Sequence, residues 1–451
     1  MIKKFLKILL IVLTLIISLF LFINYDFVKN KISNIKLRNI IPQKYTAIIE
    51  KKSSEFIDFQ FNVKKEKNFI VDGRKIKYEN YSNRFLKHRY YLAQNKANIF
   101  AVTKRGELFY FSKADVLNNK KFKLKKIKTN LDKIIGKDYI SEYNTVIKGV
   151  MIIDESIYIS FLHNKSKCFS NAILKGNLNK TGIKFSHFFN IDECKERFLL
   201  AVGGNMYNFK NNKILLTIGD HESYELAFED DPQNINSYYG KVLSIDLKTK
   251  KSNILSMGHR NQQGLFYDSK EDIIFMTEHG PQGGDEINVN INPKSNEIKN
   301  YGWAIASYGE HYGFPKNYSQ TLKDNEDLKN EDLKNELYKI APLNKSHSEH
   351  GFVEPIKFFD PSIGITQILK VNNSKRNEHK LLIGSLGWGD RVDDMTVHMI
   401  DFDNNFNETK YNKIRINERI RDIIDLQNGS VLMSLETSDS FGLLKNVYLN
   451  K

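Results

Sequence analysis

The stretch EDIIFMTEHGPQGGDEINVNIN, residues 271–292, sets two strand-like apolar runs on either side of a chemically rich loop. A plain hairpin needs only about two to five loop residues. This loop carries His279, Gly280, Pro281, two further glycines, Asp285 and Glu286. It is longer and more polar than reversing the chain requires.

The run EDIIFMT has counterparts along the chain. They are ANIFAVT from Ala97, ESIYISF from Glu155, NKILLTI from Asn212, HKLLIGS from His379 and GSVLMSL from Gly429. Several are followed by a second strand-like run, as in GELFYFS, SNAILKGNL and GKVLSIDL. The runs are rich in Ile, Leu, Val, Phe and Tyr and bounded by Gly, Asn, Asp and Lys, as strands are. Their starts fall roughly 50–60 residues apart, with one longer gap, the spacing of propeller blades. The pattern predicts an all-β chain, a six-bladed β-propeller over residues 96–451. A seven-bladed ring or a pair of β-sandwiches would also accommodate the runs. The long gap holds an insertion, 304–354, with the tandem repeat EDLKNEDLKN at 326–335, which reads as a solvated surface segment or a binding lid.

The chain of 451 residues is 41% apolar and 12% aromatic, enough for a large core. Its formal charge of +15 is spread along the length and not gathered in one basic block. That distribution argues for a Lys-rich solvated surface and against nucleic acid as a partner. At the N-terminus, Lys3, Lys4 and Lys7 precede an apolar run from Ile8 to Ile23 with no small-x-small cleavage site after it. We read residues 1–25 as an uncleaved signal anchor, basic end in the cytoplasm, with a cleaved signal peptide as the alternative. Residues 26–95 then form a stalk and lead-in segment. The propeller is expected to be anchored to an inner membrane and to lie in the periplasm or otherwise outside the cytoplasm. Such a compartment is oxidising, so Cys168 and Cys194 either pair or stay as two thiols. Two cysteines are too few for a metal site of their own.

Polar clusters beside the strand runs are the candidate chemistry. GHRNQQG, 258–264, puts Arg260, Asn261 and Gln263 within a few residues, a planar cation with two amides. In the opening stretch, Gly280 and Pro281 can turn carbonyl oxygens, hard ligands that suit Ca²⁺, to one side. His279 reads as a base or as a structural hydrogen-bonder. In NERIRD, 417–422, Arg419 and Arg421 alternate, so a strand points both the same way and an anion or acid must sit between them. LLTIGDHE places Asp220 and His221 at a strand exit.

Taken in order, GHRNQQG, EHGPQGGDE, NYGW at 300–303 and RIRD at 419–422 resemble the soluble quinoprotein aldose/glucose dehydrogenases, the glucose/sorbosone dehydrogenase family. The likeness runs from about Ala97 to the C-terminus, with gaps. It implies a six-bladed propeller that binds pyrroloquinoline quinone (PQQ) through Ca²⁺ and oxidises a sugar at C1 to a lactone, passing electrons to an acceptor the sequence does not name. By resemblance Arg260, Asn261 and Gln263 contact the quinone, and Arg419 and Arg421 face its carboxylates. The carbonyls of Gly280 and Pro281 hold the catalytic Ca²⁺. Glu286 and the Tyr301 carbonyl resemble a second, structural Ca²⁺ site.

The departures bear on activity. The family's His-x-x-Gly-Arg-Leu segment corresponds to AVGGNM, 201–206, so the base position is Ala201 and the Arg position is Asn205. The family's Asp that steadies the base is kept as Asp220. Where a basic residue often follows the Ser-Leu of the fifth run, this chain has Gly387. General-base catalysis contributes roughly 10²–10⁴-fold, so its loss would raise the barrier by about 3–5 kcal/mol. Three functions follow: a PQQ enzyme using another base, with His221 or His279 at hand; an envelope propeller that binds without turnover; or a Ca²⁺-dependent lactone hydrolase.

Overall fold

Each of the six apolar runs is the second strand, counted from the inner edge, of four antiparallel strands; a short parallel strand adds to the third such set, and a hairpin strand joins the first set to the sixth. The computed structural model describes residues 58–448 apart from 84–88, 138, 141–145, 167, 196–200, 211, 222–230, 312–342, 372–377 and 388–393. The expected anchor, residues 1–25, and the tandem repeat at 326–335 lie outside the described residues.

The inner strands of the six sheets are Tyr90–Gln94, Ile147–Ile153, Gly203–Phe209, Gln262–Asp268, Ile365–Lys370 and Ile420–Asp425. Each neighbours the next in this order, and the last neighbours the first. The described residues therefore form a closed, β-propeller-like ring. The runs repeat in sequence because in each sheet the inner strand leads directly into an apolar second strand buried on both faces. Ile273–Glu278, for example, is buried at every residue.

An apolar cluster fills each gap between neighbouring sheets. Phe100 and Val102 of the first sheet meet Ile157 and Ile159 of the second; Phe275 and Ile287 of the fourth meet Leu381 and Ile383 of the fifth. Fully burying one such side chain is worth about 1.5–3 kcal/mol. No single sheet can bury both faces alone, so the ring is stable only when closed.

Closure comes from the segment expected as stalk and lead-in. From Asp58 onward it consists of ring strands. Arg74–Ser82 is the outer strand of the sixth sheet, paired with Ser440–Lys445. Its hairpin partner Asp58–Val71 pairs with Lys121–Thr129 of the first sheet. One hairpin thus ties the last sheet to the first, and the strand-rich unit begins at Asp58, earlier than residue 96.

The insertion interrupts the fourth sheet between its third strand, Asp285–Ile291, and its fourth, Lys357–Phe359. On the way, Lys299–Asn300 pairs with the outer strand of the third sheet, Ser252–Met257. That detour brings Tyr301 and Trp303 beside the GHRNQQG segment.

Cys168 and Cys194 form a disulfide with a Cα separation of 5.4 Å, closing a loop across the second sheet. Their sequence separation of 26 gives a chain-entropy contribution of about 3.5 kcal/mol. Replacing both by Ser is expected to lower unfolding free energy by about that amount, measured by urea unfolding. No change would mean that the unfolded chain is already restricted there.

Candidate active site

The inner strands all start at the same end of the ring, and five of them bulge at that end. Register shifts fall between Ile147 and Gly149, Gly203 and Met206, Gln262 and Gly264, Ile365 and Ile368, and Ile420 and Asp422. A bulge leaves its extra residue out of the ladder and re-aims it. Those extra residues include Lys148, Asn205, Gln263, Gln367 and Arg421, and all five line one cavity of about 240 Å³. Tyr91, Lys104, Asn261, His279 and Asp422 complete most of its wall.

The cavity is cationic. The Arg421 guanidinium bonds Glu436 Oε1 at 2.6 Å through Nε and donates to Gln263 Oε1 at 3.2 Å through Nη1. Lys104 Nζ lies 2.8 Å from the same Glu436 oxygen, and Arg419 Nε is 3.6 Å from Oε2. Glu436 is therefore the acid that the alternating arginines require. Burial pushes its carboxyl up, but Arg421 and Lys104 outweigh that and hold it well below the usual range. Burial and then the charge of Arg421 bring both Lys104 and Lys148 down to about 7. Burial lifts Asp422 to about 7.

The two motifs that stood apart in sequence meet because Gln262 pairs with Glu278. Gln263 Nε2 donates to Asn261 Oδ1 at 2.8 Å, and Asn205 Nδ2 donates to the Gln263 carbonyl at 3.0 Å. His279 lines the cavity with Nε2 2.6 Å from the Ile365 carbonyl, so that nitrogen carries the proton. Its Nδ1 faces the Asn261 amide at 3.5 Å. Burial leads in keeping the ring neutral, with Arg421 and Arg260 adding to it against Asp285.

Arg260 turns away from this wall. Its Nη1 donates to the Gly280 carbonyl at 2.6 Å and the His279 carbonyl at 3.2 Å, and its guanidinium lies 5.4 Å from the centre of the Trp303 ring. Trp303 Nε1 donates to Asp220 Oδ2 at 2.7 Å, so Asp220 serves the Trp303–Arg260 stack. The loop itself is fixed by Gly283 and Gly284 at φ 89° and 65°, where a Cβ on Gly284 would strike the Gly309 backbone.

The resemblance implies two cations, and the residues present do not fit either in this arrangement. A guanidinium at the Gly280 oxygen repels a cation approaching that same oxygen. At the second position, His347 stands between the expected ligands: its Nδ1 donates to the Tyr301 carbonyl at 3.0 Å and its Nε2 lies 3.4 Å from Glu286 Oε1. Burial pulls His347 down, but the Glu286 carboxylate outweighs it and leaves the imidazole raised. His347→Ala is expected to cost about 1–3 kcal/mol, the cost of leaving a buried acceptor unpaired. Urea unfolding with EDTA and with Ca²⁺ checks it: if Ca²⁺ recovers none of the loss, the Glu286–Tyr301 space is not a latent cation site.

Neither Ala201 nor His221 lines the cavity. Ala201 is 2% exposed, and its carbonyl accepts from the His221 N–H. The His221 ring is fully buried with Nε2 2.6 Å from Asn171 Oδ1, and burial, with Lys148 and Lys195, keeps it well below its ordinary value. Sequence reading missed Lys104, Lys148, Gln367 and Glu436. The signal for Lys148 was present in TVIKGVMII, a lone cation inside an apolar strand run.

A model of the family described as Glucose / Sorbosone dehydrogenase matches residues 149–445. Quinoprotein glucose dehydrogenase B of Acinetobacter calcoaceticus is 27% identical over 285 residues, 50% of this chain and 56% of the relative. Aldose sugar dehydrogenase YliI of Escherichia coli is 42% identical over 62 residues, 14% and 15% of the two chains. The matches span about half the length of the curated relatives or less. The crystal structure of the soluble aldose sugar dehydrogenase from Escherichia coli in the apo-form superposes with a TM-score of 0.55 at 19% identity, over 80% of this chain and 96% of that one. At that identity the superposition speaks for the fold.

Proposed function

Because this chain belongs to the glucose/sorbosone dehydrogenase family, we propose that its ring is a six-bladed propeller whose axial cavity oxidises the C1 hydroxyl of an aldose, with PQQ as the bound oxidant. The observation that carries this reading is the convergence of Arg421 and Lys104 on one cavity with a single strong counter-acid, Glu436. Such a site favours a polyanion, and the guanidinium fork suits carboxylates. PQQ, when bound, supplies the two-electron acceptor.

The rest is done by the chain. Arg421 and Lys104 orient the anionic ligand from the first and sixth sheets. Asn205, Asn261, Gln263 and Gln367 offer donors and acceptors to sugar hydroxyls. The apolar strands behind the bulges keep water from the floor of the cavity, which strengthens each polar contact. No calcium step enters this reading, since Arg260 and His347 stand at the expected cation positions. That also weighs against a Ca²⁺-dependent lactone hydrolase.

Binding without turnover is the second reading, favoured by Ala201 at the base position. Titration of the purified full chain with PQQ by calorimetry, followed by dye reduction with a panel of aldoses, separates the two. Saturable binding with aldose-dependent reduction is expected. Binding without reduction selects the second reading, and absence of binding overturns both quinone readings. An extracytoplasmic, membrane-anchored location belongs to the same proposal, supported by the basic-apolar N-terminal run and by a disulfide of the kind that persists in oxidising compartments.

A further inference from the structure

The cavity contains an amine that the family motifs do not account for. Lys148 is the bulge residue of the second inner strand and lines the cavity. Among the described residues it has neither a hydrogen bond nor an ion pair. A half-buried lysine without a partner loses part of its hydration, which favours the neutral amine. Its stem lies against Gly204, which holds φ 96°; any Cβ there would strike Lys148 Cβ. Gly204 belongs to AVGGNM, the segment whose first residue, Ala201, replaces the expected imidazole. The neighbouring strand thus brings a long basic side chain to the segment that has lost its own.

We propose that Lys148 is the proton acceptor of this cavity, taking the proton from the hydroxyl of a bound sugar in place of the imidazole absent at Ala201. The inference rests on the sugar-oxidising reading. The O–H bond would break and an N–H bond form on Nζ, leaving the electron pair on oxygen; the hydride leaving the adjacent carbon would need the two-electron acceptor that PQQ would supply when bound. The ammonium then returns its proton to solvent.

The surroundings suit that role. Burial first and Arg421 second bring Lys148 to about 7, whereas an unperturbed lysine titrates near 10.4. An acceptor whose pKa is close to the working pH is the efficient one. Facing it are Arg421 and Asp422 from the sixth sheet, Lys104 and Tyr91 from the first and His279 from the fourth, with His221 behind it beside the third. Asp422, itself raised to about 7, gives no permanent counter-charge. The competing bases are engaged: Lys104 is held by Glu436 at 2.8 Å, and His279 is bonded through Nε2 and faced by an amide at Nδ1.

Two measurements test it. First, trace labelling of the full chain with acetic anhydride across pH 5.5–10.5, read by peptide mass spectrometry, gives the titration of each lysine without cofactor. Lys148 is expected to reach half reactivity about three pH units below surface lysines. A half-point near theirs, or no labelling at all, overturns the proposal. Second, with PQQ bound, Lys148→Met and Lys148→Arg are both expected to keep quinone affinity within about threefold. Both should lower kcat on aldoses by roughly 10²–10⁴-fold and abolish the acid limb of the pH profile. The Arg variant retains charge and bulk, so activity in it would assign Lys148 a merely electrostatic role and overturn the proposal. If the wild type binds PQQ yet oxidises no aldose while Lys148 labels with its half-point near 7, the fault lies in the sugar reading and the amine assignment stands.

Discussion

Glu436→Gln is expected to destabilise the protein by about 3–5 kcal/mol, the cost of breaking a buried ion pair from one side. The Glu436 side chain is 1% exposed and receives Arg421, Lys104 and Arg419 together. Lys104, already brought to about 7, can shed its proton when its partner goes. Arg421 cannot, because a guanidinium does not deprotonate in proteins. The loss therefore falls mainly on Arg421. The pH dependence has a definite sign. The folded carboxyl is held below its ordinary value, so its stabilisation is fully present above the unfolded value of about 4.3 and fades as pH falls below it. Chemical unfolding of wild type and variant should give a gap that grows as pH falls from 8 toward 6, where wild-type Lys104 takes up its proton beside Glu436, and that narrows below about 4. A gap that widens below pH 4 would mean that Glu436 is not the group holding these cations together.

The same cluster shows how far sequence reading reaches. The apolar runs were legible because a strand buried on both faces has no room for polar residues, and six of them recur at blade spacing. The alternation of Arg419 with Arg421 called for an anion or an acid between them, and the chain itself places an acid there. That acid, Glu436, lies on a different strand, and no local rule points from one to the other. The bulges were invisible for a related reason. A bulge depends on the partner strand's register, so period-two reading cannot tell that Lys148 or Gln367 is squeezed out toward the axis. The strands Asp58–Val71 and Arg74–Ser82 escaped because outer strands are polar on their solvent face; only pairing with Lys121–Thr129 and Ser440–Lys445 reveals them as the closure.

The cation positions teach a separate lesson. Gly280, Pro281, Glu286 and Tyr301 carry the right atoms in the right order, and order is all that a motif records. Occupancy is decided by side chains from elsewhere. Arg260 reaches the Gly280 carbonyl from the preceding motif, and His347 reaches Tyr301 and Glu286 from beyond the insertion. Both place N–H donors where the resemblance implies a divalent ion.

Arg421→Leu is expected to weaken PQQ binding by about 2–5 kcal/mol, roughly 30- to 5,000-fold in Kd. Arg421 lines the cavity and its fork is shared between Glu436 and Gln263. It couples the counter-acid to the amide wall on the fourth sheet. Arg421→Lys keeps the charge but loses the fork, so an intermediate loss is expected. The single variant alone is ambiguous, because it also strips a partner from Glu436 and destabilises the ring. The double variant Arg421→Leu/Glu436→Gln resolves this. Removing both members of a buried pair costs less than removing one, so the double variant should be more stable than Glu436→Gln alone. It should nevertheless still fail to bind PQQ by calorimetry at a temperature where it is fully folded. Recovery of binding in the double variant would show that Arg421 acts on the fold and not on the ligand, and the polyanion reading of the cavity would fall with it.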